Sequence, residues 1–72
     1  MKKWFMYIES HGDGQTVAFD TQAEAEDFAI ARYEQLHPLD KKKVTSCYVF
    51  EDDVDEMGCP LHFEGNVGLV LV

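Results

Sequence analysis

The sequence predicts a small α+β domain in which one helix packs on an antiparallel sheet, with the elements in the order ββαββ. Three observations predict this class: strand-like apolar segments lie on both sides of a segment with helical spacing, a glycine-rich turn separates the first two strands, and a proline follows the helix. With 72 residues the chain makes one domain, 1–72, near the lower size limit for folding alone. Its hydrophobic fraction of 46% is far above that of a disordered acidic segment.

The first two strands are predicted to form a hairpin over residues 3–19. Residues 4–8 are rich in aromatic side chains and place apolar groups on both faces of the strand. The His-Gly-Asp-Gly sequence at 11–14 predicts a turn, because glycine takes positive φ and aspartate bonds its own backbone. Residues 16–19 then predict a short partner strand.

The helix is predicted over residues 22–36. Thr21 and Glu24 have the spacing of a capping box, in which each residue satisfies an unpaired amide of the other. Pro38 predicts the end of the helix, because the residue before a proline avoids helical geometry. The apolar stripe that would face the sheet consists of Ala25, Phe28, Ala29, Tyr33 and Leu36.

The second pair of strands is predicted at 44–50 and 67–72. The segment 51–66 between them is rich in acids, glycine and proline and predicts a loop, with a short extended piece at 61–63. The first and last strands are apolar on both faces, whereas one helix covers a single face of the sheet. A homodimer that covers the second face or the exposed edge is therefore an open alternative.

The charge pattern predicts two separate patches. The chain has 14 acidic and six basic residues, a formal net charge of −8. Three lysines at 41–43 and five acids at 51–56 flank a strand about 23 Å long, which exceeds the ~8 Å screening length in physiological salt. This acidity disfavours direct binding to nucleic acid or to anionic membranes and favours a protein partner with a basic surface. The predicted partner-binding residues are Glu51, Asp52, Asp53, Asp55 and Glu56.

The acidic loop also has partial calcium-loop spacing. Positions one, three, six and twelve of an EF-hand loop would be occupied by Asp53, Asp55, Gly58 and Glu64. However, Met57 stands where an oxygen ligand is wanted, and Pro60 cannot donate the backbone bond that pairs such loops. We therefore expect no metal or other cofactor, and Asp53, Asp55 and Glu64 are weak candidates for cation binding.

The cysteines and histidines predict little chemistry. Cys59 and His62 have the spacing of half a zinc site, for which Cys47, His11 or His37 could supply the remaining ligands. A bridge between the two cysteines is a further alternative. No secretory signal or membrane span is recognisable, so we expect a cytoplasmic protein with reduced thiols. No nucleophile-and-base spacing is present, and we expect no enzymatic activity.

A strand-into-helix pattern, FxTxxEAxxFA, is formed by Phe19, Thr21, Glu24, Ala25, Phe28 and Ala29. It resembles the junction in the arm-binding domain of phage integrases and in small uncharacterised α+β proteins of gut bacteria and their phages or mobile elements. The resemblance extends over residues 4–50. Integrase-type domains bind DNA through a basic sheet, whereas acids outnumber bases 14 to 6 here, so no functional residues carry over.

From these observations we expect a small acidic module that binds or regulates another protein. A more specific alternative is a phage or mobile-element inhibitor of the anti-restriction or anti-CRISPR type, which imitates the charge of nucleic acid. A second alternative is a cation-binding module at residues 53–64, and a third is a structural homodimer.

Overall fold

The computed structural model describes residues 1–62 and 66–72, which form a four-stranded antiparallel sheet with a helix on one face. The strands lie in the order β2-β1-β3-β4. The α+β class, with one main helix and this sheet, is confirmed, but a short second helix departs from the predicted ββαββ order. Along the chain the elements are β1 (Lys2–Ser10), β2 (Asp13–Phe19), α1 (Gln22–Glu34), α2 (Pro38–Lys41), β3 (Val44–Asp53) and β4 (Val67–Val70).

The second helix, α2, arises at the proline that was predicted only to end α1. Pro38 occupies the first helical position, where its missing N–H is not needed. His37 caps this helix, because its Nδ1 accepts a hydrogen bond from the Leu39 N–H at 3.2 Å. α1 accordingly ends at Glu34, two residues earlier than predicted.

Strand β3 is longer than predicted because β1 provides a partner for its acidic end. Lys2 lies opposite Asp53 and Lys3 lies opposite Asp52, so the ladder continues past residue 50 to Asp53. Glu51, Asp52 and Asp53 are therefore strand residues, and the prediction that they open a loop is wrong.

The other strand bounds also differ from the prediction. Strand β2 begins at Asp13 rather than at residue 16, and β4 ends at Val70 rather than at residue 72. The predicted extended piece at 61–63 is absent from its described residues 61 and 62, and residue 63 lies outside the described part of the chain. In its place Val54 and Pro60 form a single antiparallel bridge.

The core lies between α1 and one face of the sheet. Ala25 and Ala29 are completely buried, and their small size lets the helix approach the strands closely. Gly68 on β4 serves the same purpose, because an added Cβ would lie 2.9 Å from Gln22 Nε2 and 3.1 Å from Glu26 Oε2. From the strands, the buried core residues are Met6, Ile8, Val44, Cys47 and Val49.

The opposite face of the sheet, here called the rear face, is covered in part by the chain itself. Phe5 and Phe50 are each 1% exposed and stack with a centroid distance of 5.4 Å. Asp52 shares this face with Phe50, and its carboxylate accepts the His62 N–H, so the chain after β3 folds back over the rear face. The rear-face valines of β4, Val67 and Val70, are each 58% exposed.

The turn between β1 and β2 contains only two residues. His11 has φ 54° and Gly12 has φ 81°, and positive φ at both positions is what a type I′ hairpin turn requires. Glycine takes this conformation without cost, whereas histidine does so uncommonly. The predicted turn at 11–14 is thus present, with β2 beginning inside it.

Candidate functional site

The antiparallel topology separates the charges between the two ends of the sheet. β1 begins where β2 and β3 end, and α1 starts beside them; we call this the acidic end. The hairpin end is the other one, with the 11–12 turn, the second half of α1, and α2. At the acidic end the charged residues are Asp20, Glu24, Glu26, Asp27, Glu51, Asp52, Asp53, Asp55, Glu56, Lys2 and Lys3. At the hairpin end they are Glu9, Asp13, Glu34, Asp40, Arg32, Lys41, Lys42 and Lys43.

This division concentrates nearly all of the net charge at one end. Among the described residues, nine carboxylates against two lysines give the acidic end a formal charge of −7, and four carboxylates against four basic groups leave the hairpin end neutral; Glu64 lies outside this count. One lysine of the acidic end is engaged, since Lys3 Nζ lies 3.7 Å from Asp20 Oδ1. The sequence does not predict that the acids of α1 lie at the same end of the sheet as those of residues 51–56. The strand pairing is what brings the two groups to one end.

Asp52 holds the chain that follows β3. Its side chain is 3% exposed, and its two oxygens each accept a backbone hydrogen bond of 2.8 Å, one from the Asp53 N–H and one from the His62 N–H. Hydrogen bonds to a charged group are about twice as strong as neutral ones. Asp52 thus fixes residue 62 against the end of β3, and its buried carboxylate is not on the surface that a partner would meet.

Asp55 organises the tight turn at 55–59 in a similar way. Its Oδ1 accepts the N–H groups of Met57 and Cys59, both at 2.9 Å, and its backbone N–H donates to the Cys59 carbonyl at 2.9 Å. Gly58 closes the turn with φ 82°. Of the loop predicted over 51–66, residues 51–53 thus belong to β3 and residues 55–59 form a hydrogen-bonded turn.

Four of the five predicted partner-binding acids lie at the surface, although Asp55 Oδ1 already accepts two N–H groups of its own turn. Glu56 is exposed at the tip of the turn, while Glu51 and Asp53 are half-buried at the end of β3. Glu51 accepts a weak bond of 3.3 Å from Asn66 Nδ2, which steadies its side chain. The strand and the hydrogen-bonded turn fix the backbone positions from which these carboxylates extend. Their role in binding a partner stays a prediction.

The group of potential metal ligands contains one predicted candidate, Asp53, together with Asp52 and His62. Asp52, Asp53 and His62 each have a ligand atom within 4.8 Å of the others. Asp55 joins no such group of three among the described residues, because its turn directs Oδ1 towards backbone N–H groups. Glu64, the other predicted candidate, lies outside the described residues.

The spacing of Cys59 and His62 is not completed by further zinc ligands in the described part of the chain. Cys47 is buried in the core, and burial raises the pKa of its thiol. Cys59 is an exposed free thiol at the end of the 55–59 turn. Neither joins a group of three potential ligands within residues 1–62 and 66–72. The alternative of a bridge between them is wrong, since both thiols are free.

At the hairpin end the carboxylate of Glu9 accepts hydrogen bonds from two hydroxyl groups of the sheet. The Tyr7 hydroxyl donates to Glu9 Oε2 at 2.6 Å, and the Thr45 hydroxyl donates to Oε1 at 3.1 Å. The Tyr7 hydrogen bond, followed by that of Thr45, lowers the pKa of Glu9. The same bond to Glu9 raises the pKa of Tyr7. This carboxylate is therefore part of the sheet's own hydrogen bonding.

Comparison of the chain with protein-family models, with curated proteins and with solved structures finds no match. The resemblance to integrase arm-binding domains and to small proteins of gut bacteria and phages therefore stays a prediction. In the described residues, no helix is both long enough and apolar enough to cross a membrane.

Proposed function

We propose that this chain is a small acidic binding module that docks its acidic end on a basic surface of another protein. The observation that supports the proposal is the segregation of charge: a formal −7 lies at one end of the sheet, and the other end is neutral. Such a distribution steers a basic partner towards one end of the molecule and raises the rate of encounter.

The order of the acidic end strengthens this argument. Asp52 and Asp55 hold the backbone through hydrogen bonds, so Glu51, Asp53 and Glu56 are presented on a preorganised surface. Association then needs little further ordering of the backbone, which lowers its entropic cost. A flexible acidic tail with the same composition would not have this advantage.

The test compares two variants that each lose three carboxylates. Glu51→Gln, Asp53→Asn and Glu56→Gln change the formal charge of the acidic end from −7 to −4 without touching Asp52 or Asp55. A matched control at the hairpin end combines D13N, E34Q and D40N. With an arginine-rich peptide as probe, fluorescence anisotropy at low salt should show about tenfold weaker binding for the acidic-end variant, since three exposed ion pairs contribute roughly 0.5 kcal/mol each.

The hairpin-end control should bind the peptide nearly as well as the wild type. Equal losses in the two variants would mean that net charge alone attracts the peptide, and the proposal would fail. Affinity capture from host cells with the same three proteins then looks for the natural partner. A partner should be retained by the wild type and the control and lost with the acidic-end variant.

A more specific version of the proposal is a protein that imitates the charge of nucleic acid. The acidic end carries carboxylates on a strand end, a turn and a helix start, so negative charge is spread over several elements as it is along a phosphate backbone. This version predicts that duplex DNA and the chain compete for the same captured partner. A partner that binds both at once would contradict it.

Cation binding is a second candidate function, supported by the Asp52, Asp53 and His62 group. Two carboxylates and an imidazole suit a first-row transition metal such as Zn²⁺ or Mn²⁺ better than Ca²⁺, which prefers oxygen ligands alone. The cation-binding module proposed for residues 53–64 is thereby shifted towards the end of β3. Asp52 is already oriented by its two backbone donors, as metal-ligating carboxylates usually are.

Thermal melts with added metal test this second candidate. Zn²⁺ should raise the melting temperature of the wild type, because a ligand that binds only the folded state stabilises it. His62→Asn should abolish the rise. The matched variant His37→Asn should keep it, since asparagine can still cap α2. A wild-type melt unchanged by millimolar metal would reject the site.

A further inference from the structure

A cavity of about 190 Å³ opens at the hairpin end, far from the acidic end. Its apolar floor is formed by Ile8 of β1 and Leu36, the residue that follows the C-cap of α1. Its polar rim consists of Ser10, His11, Asp13, Gln15 and Arg32. With about 30 Å³ for each water molecule in the liquid, the cavity has room for a small organic molecule.

Arg32 brings an unpaired positive charge to this cavity. Within residues 1–62 and 66–72, no carboxylate oxygen lies within 4.0 Å of its guanidinium, although the chain has 14 acidic residues. One long hydrogen bond of 3.4 Å runs from Nη2 to Gln15 Oε1. A guanidinium has five N–H donors in a fork that matches a carboxylate, so most of its capacity remains open.

Asp13 brings the opposite charge to the same rim. It lines the cavity with Arg32 without forming an ion pair with it. Asp40 near this rim already has a neighbour, because its Oδ1 lies 3.6 Å from His11 Nε2. The cavity thus offers one separated positive group, one separated negative group and an apolar floor.

We propose that this cavity binds a free α-amino acid with a small branched apolar side chain. Arg32 would donate paired N–H groups to the carboxylate of the ligand, and Asp13 would accept N–H groups from its ammonium. Ile8 and Leu36 would contact its side chain. Both charges of the ligand are then matched, and its apolar part leaves water. The neutral hairpin end tolerates such a dipolar ligand, whereas the acidic end would repel its carboxylate.

The affinity should be modest. A ligand of this size has few atoms, and the rim is exposed on one side, so we expect a dissociation constant of roughly 1 mM. The site is independent of the proposed docking surface, because no residue belongs to both. Failure of one proposal therefore leaves the other standing.

NMR titration of the ¹⁵N-labelled protein with L-valine tests the proposal. The amides of Ile8, Asp13 and Gln15 should shift and saturate. Isovalerate, which lacks the amino group, and isobutylamine, which lacks the carboxylate, should each bind about tenfold more weakly. Shifts that spread over the surface or rise without saturation would show only adventitious binding and would overturn the proposal.

Two variants and one control locate the charges. Arg32→Gln and Asp13→Asn should each weaken valine binding about tenfold, and R32Q should bind isobutylamine as well as the wild type does. Lys43→Gln removes one positive charge at the same end without touching the cavity and should leave valine binding unchanged. Both R32Q and D13N change exposed residues, and well-dispersed spectra will confirm that they fold. Undiminished valine binding in R32Q would reject the site, and tight isovalerate binding would reject the amino acid as its ligand.

Discussion

The two ends of the sheet reverse the chain by different physical means. At the acidic end, Asp52 and Asp55 accept backbone N–H groups and hold the segment that follows β3. At the hairpin end, positive φ angles at His11 and Gly12 make the turn. Acidic residues that look alike in the sequence thus divide into two groups. Some have carboxylates that hold the backbone, and the others are the residues proposed to bind a partner. Variants at each end can separate these two roles.

The largest effect is expected for Asp52→Ala at the acidic end. It leaves the N–H groups of Asp53 and His62 without their charged acceptor, which should cost about 2–3 kcal/mol of unfolding free energy. Urea unfolding measures the loss. Asp52→Asn should recover part of it, because one acceptor oxygen remains. Asp13→Ala, an exposed change at the hairpin end, should cost less than about 0.5 kcal/mol. Equal costs at the two sites would contradict this division of roles.

Gly14→Ala tests how closely the hairpin end is packed. An added Cβ would lie 2.6 Å from Tyr7 Oη and 3.0 Å from Tyr7 Cε1, so the ring must move. Overpacking of this kind should cost about 1–2 kcal/mol. Because the closest atom is the hydroxyl, the loss caused by G14A should be smaller in a Tyr7→Phe background. A thermodynamic double-mutant cycle measures that coupling, and strict additivity would argue against the clash.

His11→Asn should stabilise the chain slightly. Asparagine adopts positive φ more readily than histidine, so the turn should gain about 0.5 kcal/mol. Asp40→Asn serves as the control for the lost pairing with His11. A lower melting temperature for H11N than for D40N would show that the histidine ring contributes more to the turn than its backbone strain removes.

The smallest effect concerns the titration of Glu9. Its pKa in the folded state lies below the ordinary value of 4.5 because Tyr7 and Thr45 donate hydrogen bonds to it. Its contribution to stability is therefore present at neutral pH and is lost as the pH falls from about 4.5 through the lowered pKa. Tyr7→Phe should raise the pKa of Glu9 towards its ordinary value. Carbon-detected NMR of the carboxyl group measures this, and an unchanged pKa would remove Tyr7 as the cause.

Local signals in the sequence predicted α1 and the hairpin turn. Half of the predicted capping box forms as expected, with Thr21 Oγ1 accepting the Glu24 N–H at 3.2 Å, whereas Glu24 Oε1 accepts the Thr21 hydroxyl at 3.0 Å in place of its backbone N–H. Glycine at position 12 likewise has the positive φ that the turn needs. These features depend on neighbours within four residues, and short-range patterns describe them well.

Features that depend on distant partners were missed. The extension of β3 to Asp53 follows from pairing with Lys2 and Lys3, about fifty residues away in the chain. Asp52, predicted to lie at a binding surface, is buried on the same strand, and among the described residues His62 rather than Asp55 lies beside it. An acidic run carries no local sign of which carboxylate will face the interior. The cavity at Arg32 also depends on the meeting of three elements.

Strand β4 has a kinetic consequence. It is four residues long, joins the sheet through β3 alone, and is followed by Leu71 and Val72, whose N–H groups bond the Cys47 carbonyl. Such a short edge opens at a lower free energy than the whole domain. Cys59 is exposed and reports the intrinsic rate of thiol labelling, whereas the buried Cys47 reacts only when the core is uncovered. The labelling rate of Cys47 divided by that of Cys59 therefore measures how often this edge opens.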